Sequence, residues 1–464
     1  MKRELICKAT FVVLTCLLVS LCSFYIIHNA AWLLGDDCTT LVYTGWDKPI
    51  FGFFVSPTLG RFFPLDYTIY DVLLPFFDGQ ISPTAHYAVN VICFILFIVF
   101  FIWLSFFILK DQSVEYRYII TFFLIVLIIG RTFINFAQCW SGVWTIFTFL
   151  PLFVVCSLRF LEKHQWGYAI IALVAINYVL YYYEIMFVIP LTIGVCAFVF
   201  SVSHLSRQDK LYYALLVASG ILFLLLYAIL VLPKVDSFYS HHSGKSLFQN
   251  ALRMFVAQKI MWLTIAFLFV RMYHLIKKDT SFCFYDCLLL SSCSYFCCAA
   301  VLGLDFTLYY TPGALIAIPA ILAFSVQYLK IKWTVILFLV LTLFYGRKIP
   351  AHIKVAQTDR ISTYANVQQF IDHLDGEKAF FYEPDDDSLE RWQWEERHIQ
   401  RFYLEKVAGW YMMDEGFSID TRDRFTGERG LWQVPTENTT MFLQDCPEAS
   451  FIVNLGMSSI YSIQ

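Results

Sequence analysis

Eleven separate apolar runs dominate this chain: 9–29, 86–109, 118–136, 142–158, 167–183, 185–203, 211–232, 260–276, 284–304, 311–329 and 333–346. A helix needs about 20 apolar residues to cross the hydrocarbon core of a bilayer. Most of these runs come near that length. The composition leaves little else for them to do, because 59% of the residues are hydrophobic and 15% charged, against about 25% charged in soluble domains. Aromatic side chains, at 19%, suit lipid-facing helices and interfacial belts. The expected fold is an all-α polytopic membrane protein with about eleven transmembrane helices.

The first run follows Lys2, Arg3 and Lys8. Its apolar stretch is long and no clean small-x-small cleavage site precedes Gly35, so it reads as a retained signal anchor. Lys/Arg in short loops sets orientation. With the N-terminus in the cytoplasm, the inner segments before residue 347 hold fourteen Lys/Arg and the longer outer segments seven. That bias favours a cytoplasmic N-terminus and places everything after residue 346 outside. Two outer segments are long, 30–85 and 233–259, whereas the inner ones are short turns. The chemistry is therefore expected on the outer face.

Residues 347–464 carry 12 Lys/Arg against 20 Asp/Glu, an acidic change from the membrane part. The segments 361–374 and 389–407 look helical, and 378–384, 449–456 and 460–463 look like strands. This part is expected to be a small extracytoplasmic α/β domain without catalytic residues. No basic run suggests nucleic acid. Cys283, Cys287, Cys293, Cys297 and Cys298 lack the paired spacing of a zinc site and read as packing residues.

The first outer loop carries the strongest functional signal. Its opening, AAWLLGDDCTT, sets Asp36 and Asp37 just past the first helix. Negative charge is disfavoured beside a helix C-terminus, so two adjacent carboxylates there call for a cation, a partner or a role. A solvated turn is the ordinary alternative. Further on, GRFFPLDYTIYDVLLPFF mixes large apolar residues with Arg61, Asp66 and Asp71, and reads as one or two short interfacial helices.

Gly35-Asp36-Asp37 after the first helix, followed by Gly60-Arg61-Phe62-Phe63-Pro64, resembles the GT-C glycosyltransferases. The likeness extends to the many spans, the long first outer loop and the C-terminal outer domain. Many members carry Asp-Glu where this chain has Asp-Asp. The resemblance implies an inverting transfer of a sugar from a polyprenyl-phosphate carrier to an acceptor hydroxyl, in a bacterial inner (plasma) membrane. The acceptor is a glycan, a lipid or a protein. It also implies Asp36 as general base and Asp37 as a positioning residue or a ligand for a divalent metal such as Mg2+ or Mn2+. A positioned base that takes the hydroxyl proton contributes about 10²–10⁴-fold, and the departing lipid phosphate needs positive charge nearby.

Several residues are candidates for substrate binding. Arg61 either snorkels to headgroups or faces substrate. Arg131, inside a membrane run, needs a partner or a cavity. His241, His242 and Lys245 lie in the second outer loop, as part of a solvated loop or of a clamp over the lipid phosphate. Glu184, after three tyrosines, marks a simple turn, holds a metal, contacts a sugar hydroxyl or pairs with Arg131. Asp305 occupies a similar position beside Tyr309 and Tyr310. Two rivals are a polymerase or ligase of lipid-linked oligosaccharides, which does not need the acidic pair, and a lipid-linked sugar flippase. No internal repeat of the kind common in transporters is evident.

Overall fold

The computed structural model describes residues 2–30, 54–56, 60–65, 68–73, 76, 83–137, 145–235, 247–304, 307–358, 379–384, 431–434, 451–454 and 459–462. In chain order these form α1 (Lys2–His28), β1 (Phe54–Ser56), β2 (Arg61–Phe63), α2 (Thr68–Leu73), α3 (Pro83–Ile108), α4 (Val114–Phe136), α5 (Ile146–Lys163) and α6 (Trp166–Tyr182). A 3-10 turn, Glu184–Phe187, leads into α7 (Val188–Ser201). Then follow α8 (Arg207–Leu230), α9 (Leu247–Ala257), α10 (Lys259–Ile276), α11 (Phe284–Val301), α12 (Thr307–Tyr328) and α13 (Ile331–Gly346). A second 3-10 turn, Leu232–Lys234, follows α8, and the strands β3 (Ala379–Pro384), β4 (Leu431–Val434), β5 (Phe451–Asn454) and β6 (Ser459–Ser462) complete the described elements.

Each of the eleven apolar runs is occupied by a helix. Among the described residues, nine helices are long and apolar enough to cross a membrane. The other two are α6, an apolar helix of 17 residues, and α5, whose last turns carry Arg159, Glu162 and Lys163. The chain is an integral membrane protein of all-α polytopic type. Helix continues over residues 348–358, beyond the last apolar run.

Large apolar side chains facing outward along α1, α8, α10 and α13, such as Leu17, Leu225, Phe269 and Leu343, belong to lipid-facing surfaces. Between helices, small residues and hydroxyls do the joining, as expected where lipid is as apolar as leucine. Gly194 on α7 sits against α8 so closely that a Cβ would lie 2.8 Å from the Tyr213 carbonyl oxygen. Gly130 on α4 meets the Tyr345 carbonyl on α13 in the same way. Ser105 bonds Thr121 (2.7 Å) between α3 and α4, and Ser157 bonds Tyr212 (2.6 Å) between α5 and α8. The Thr342 hydroxyl donates to the Phe123 carbonyl (2.7 Å), tying α13 to α4. Cys287 is buried in α11 and Cys283, Cys293 and Cys298 partly so; all are free thiols.

At the end of the bundle with short turns, a buried ion pair fastens three helices. Arg271 on α10 holds Asp286 on α11 through Nε (2.6 Å) and Nη2 (2.7 Å). The same guanidinium donates to the Tyr328 hydroxyl on α12 and to Thr280 Oγ1 (3.0 Å). Asp286 Oδ2 also accepts the Cys283 N–H (2.8 Å), capping α11.

Two stretches depart from expectation. Arg61–Phe63 is a strand rather than part of an interfacial helix. It pairs antiparallel with β1, Val55 opposite Phe62. Gly60 turns the hairpin at φ 72°, a backbone shape that glycine adopts without strain. Helix begins only at Thr68, whose hydroxyl bonds the Leu65 carbonyl (2.7 Å). In the second long loop, Leu247–Ala257 is a helix. Its Leu247, Phe248, Leu252 and Val256 are exposed while Asn250 and Met254 are buried, the pattern of a helix lying in the membrane interface.

In the C-terminal part the strands stand in the order β4-β3-β5-β6. β3 runs parallel to β4 and β5, and β5 pairs antiparallel with β6. Three of these strands fall where the sequence suggests them, and β4 was not anticipated. The expected helices at 361–374 and 389–407 lie outside the described residues.

Candidate functional site

Among the described residues, the Gly60–Pro64 motif fastens the first loop to the Glu184 turn, while Ile69 and Leu73 of α2 pack against the main core. Tyr183 alone separates α6 from the Glu184 turn, so the carboxylate emerges at the tip of a hairpin. Glu184 Oε1 accepts two hydrogen bonds from the motif, one from Arg61 Nε (3.2 Å) and one from the Phe62 backbone N–H (2.8 Å). Both charged side chains are about one-fifth exposed, at 19% and 20%.

Around this pair the contacts are apolar and specific. The Phe62 ring is buried with Leu180, Phe223 and Val231, its centroid 5.6 Å from that of Phe223. Tyr181 meets it edge-on at 6.4 Å. The Tyr227 hydroxyl on α8 donates to the Gly60 carbonyl (2.7 Å), and the Leu65 N–H donates to the Tyr181 carbonyl (3.1 Å). Beside Glu184, the Tyr183 ring stacks on Tyr309 of α12, 5.6 Å apart and 11° from parallel.

Of the expected site residues, Arg61 and Glu184 come together. The alternative pairing of Glu184 with Arg131 does not occur. Arg131, buried in α4, instead donates from Nη2 to Gln258 Oε1 and lies 5.8 Å from the Tyr345 ring centroid. The physical reason is position: Glu184 is taken up by a loop strand that brings a backbone donor and a cation together. Asp36, Asp37, His241, His242, Lys245 and Asp305 lie outside the described residues. Among the described residues, no three His, Cys, Asp or Glu side chains converge as a metal site would require.

Two contributors were not singled out from sequence, and a third was named only as part of the Gly60–Pro64 motif. Phe62 is the anchoring side chain of the loop, Tyr227 holds the hairpin turn, and Gln258 is the partner of Arg131. Arginine among interfacial aromatics drew notice to charge, whereas the aromatic beside it does the anchoring. Gln258 sits between two helices and gives no signal in the sequence.

Compared with known proteins, the chain matches no family model and no curated sequence. Its fold is similar to the crystal structure of ArnT from Cupriavidus metallidurans in the apo state. The likeness has a TM-score of 0.53 and 13% sequence identity, and covers 96% of each chain. The shared architecture runs over nearly the whole length of both proteins.

Proposed function

We propose that this chain is a membrane glycosyltransferase that moves a sugar from a polyprenyl-phosphate carrier to an acceptor hydroxyl at the outer face of a bacterial inner membrane. The observation that carries this is the GT-C-like fold spanning 96% of the chain, in a sequence that places Gly35-Asp36-Asp37 after its first helix. With the N-terminus cytoplasmic, the hairpin held by Glu184 and the end of α1 both lie outside. The C-terminal domain then stands on that same side.

The chemistry needs few groups. Asp36 takes the proton of the acceptor hydroxyl as the oxygen attacks the anomeric carbon from the face opposite the phosphate. The new C–O bond forms as the bond from that carbon to the phosphate oxygen breaks, which inverts the centre. The phosphate departs on its lipid, gaining one negative charge as Asp36 is neutralised. Asp37, next in the chain, orients substrate or holds a divalent metal. Arg61, fixed through Nε by Glu184, lends positive charge to the first loop. His241, His242, Lys245 and Asp305 are further candidates for contact with donor or acceptor. The acceptor is a glycan, a lipid or a protein.

The test is turnover of a polyprenyl-phosphate sugar by Asp36→Asn and Asp37→Asn beside the wild-type chain. Loss of transfer in Asp36→Asn, with insertion and thermal stability retained, is expected. Full turnover in both variants would refute the assignment. Movement of the intact lipid-linked sugar without cleavage would identify a flippase instead.

A further inference from the structure

A second polar centre lies apart from the Glu184 hairpin, on α4, α13, the residues after α13 and the corner between α9 and α10. Arg131 reaches it from α4, within a run of apolar side chains, and is only 6% exposed. Its Nη2 donates to Gln258 Oε1. That bond fixes the glutamine amide: the oxygen accepts, and the amide nitrogen is turned elsewhere. Gln258 is fully buried, and its Nε2 has no hydrogen-bond partner. Arg131 Nε and His352 Nδ1 are likewise buried without a partner.

Positive charge accumulates on the same spot. Arg131 lies 5.8 Å from the Tyr345 ring centroid and the Lys348 ammonium 5.7 Å from it. Arg347 and Lys259 stand near this group as well. Lys348 and His352, four residues apart, share one helix face. Among the described residues, no carboxylate forms an ion pair with Arg131, Lys259, Arg347 or Lys348. Elsewhere the chain does pair its deeply buried arginine, as Arg271 with Asp286 shows. A buried cation whose Nε has no partner, beside the unused Gln258 Nε2 donor and with exposed cations nearby, is complementary to an anion that has several acceptor oxygens.

Depth points to the kind of anion. Gln258 directly follows α9, whose outward apolar face suits a helix lying at headgroup level. The Trp262 indole donates to the Phe255 carbonyl (2.9 Å) across this corner, so the height of α9 sets the height of Gln258. Lys348 and Lys259 are exposed while Arg131 is buried. We propose that Arg131, Gln258, Lys348 and His352 form a binding site for a phosphate group at headgroup depth. The shared chemistry is a phosphate with at least two free oxygens, carried by a lipid or free in solution.

The test uses the purified full chain in a non-ionic detergent. The probes are dihexanoyl phosphatidic acid, the matching uncharged dihexanoylglycerol, and inorganic phosphate. A ligand that binds only the folded state raises the melting temperature with its concentration. Phosphatidic acid is expected to do so and dihexanoylglycerol not. Lys348→Gln, an exposed change that spares the fold, should weaken the response about tenfold, the loss of one charge-assisted contact. Arg131→Gln should abolish it. Lys277→Gln, at the end of the bundle with short turns where Lys277 lies over the Tyr273 ring, serves as a control that leaves the response intact. An equal response to inorganic phosphate assigns the site to free phosphate as well; a response to the lipid alone assigns it to headgroups. No response to either probe, or a response that survives both Lys348→Gln and Arg131→Gln, overturns the proposal. Binding is read without turnover, so it stands or falls separately from sugar transfer.

Discussion

Arg61 and Glu184, 123 residues apart in sequence, meet with Nε and Oε1 3.2 Å from each other. The same oxygen takes the Phe62 backbone N–H at 2.8 Å, so this carboxylate holds a strand as well as a charge. Glu184→Ala leaves both donors without it. Hydrogen bonds to a charged group contribute about 1.5–3 kcal/mol each, less where solvent reaches them. Faster amide exchange over residues 54–65 is expected in Glu184→Ala, together with reduced sugar transfer. Glu184→Gln, which keeps one acceptor oxygen, should lie between. Unchanged exchange in both would show that Phe62 packing alone holds the hairpin.

Phe62 is the apolar half of the same attachment. Removing a buried phenylalanine ring costs about 3–5 kcal/mol. Phe62→Ala should lower the thermal midpoint of the solubilised protein and expose residues 54–65 to protease. Phe62→Leu should retain most of the attachment. A midpoint within error of wild type in Phe62→Ala would contradict the buried position of this ring.

Much of this was readable in the amino-acid order, and the exceptions have identifiable causes. Membrane helices announce themselves because lipid demands the same property along some twenty positions. Even α5, with three charged residues in its last two turns, keeps enough apolar length to be recognised. The 61–63 strand escaped notice because Arg61, Phe62 and Phe63 offer both helical and extended patterns over so short a stretch. Its choice is made by Gly60 and by a pocket formed by Leu180, Phe223 and Val231, which are distant in sequence. β4 did carry a local signal: Leu-Trp-Gln-Val between Gly430 and Pro435 is an aromatic, β-branched segment bounded by breakers. α9 carried one too, in the spacing of Leu247, Phe248, Leu252 and Val256. Pairing is the least legible property. Nothing about Glu184 in sequence distinguishes Arg61 from Arg131 as its partner, because the answer depends on where two distant segments end up.

The Arg271–Asp286 pair gives a prediction with a sign. Breaking a buried ion pair from one side typically costs about 3–5 kcal/mol, whereas replacing both partners with apolar residues is often neutral or stabilising. Arg271→Met and Asp286→Leu should each lower the thermal midpoint markedly, and the double variant should recover most of the loss. Additive losses would mean that the Tyr328 and Thr280 bonds matter more than the carboxylate.

Gly194 tests the close approach of α7 and α8. A larger side chain there meets the Tyr213 carbonyl and the Val217 side chain, and overpacking of this kind costs about 1–3 kcal/mol or more. Gly194→Leu should reduce the yield of folded protein in membranes and lower its melting point. Gly167→Ala, where a Cβ meets nothing, should have no such effect. Equal behaviour of the two variants would argue against the contact.

The joint at Tyr183 constrains how the protein is made. With a single residue between α6 and the Glu184 turn, and only His164 and Gln165 between α5 and α6, no connecting segment is long enough for one helix to wait in water while its neighbour settles. α6 and α7 must leave the ribosomal exit path and enter lipid as a pair. A substitution that impairs the integration of one therefore strands the other, and with it the carboxylate that receives the first loop.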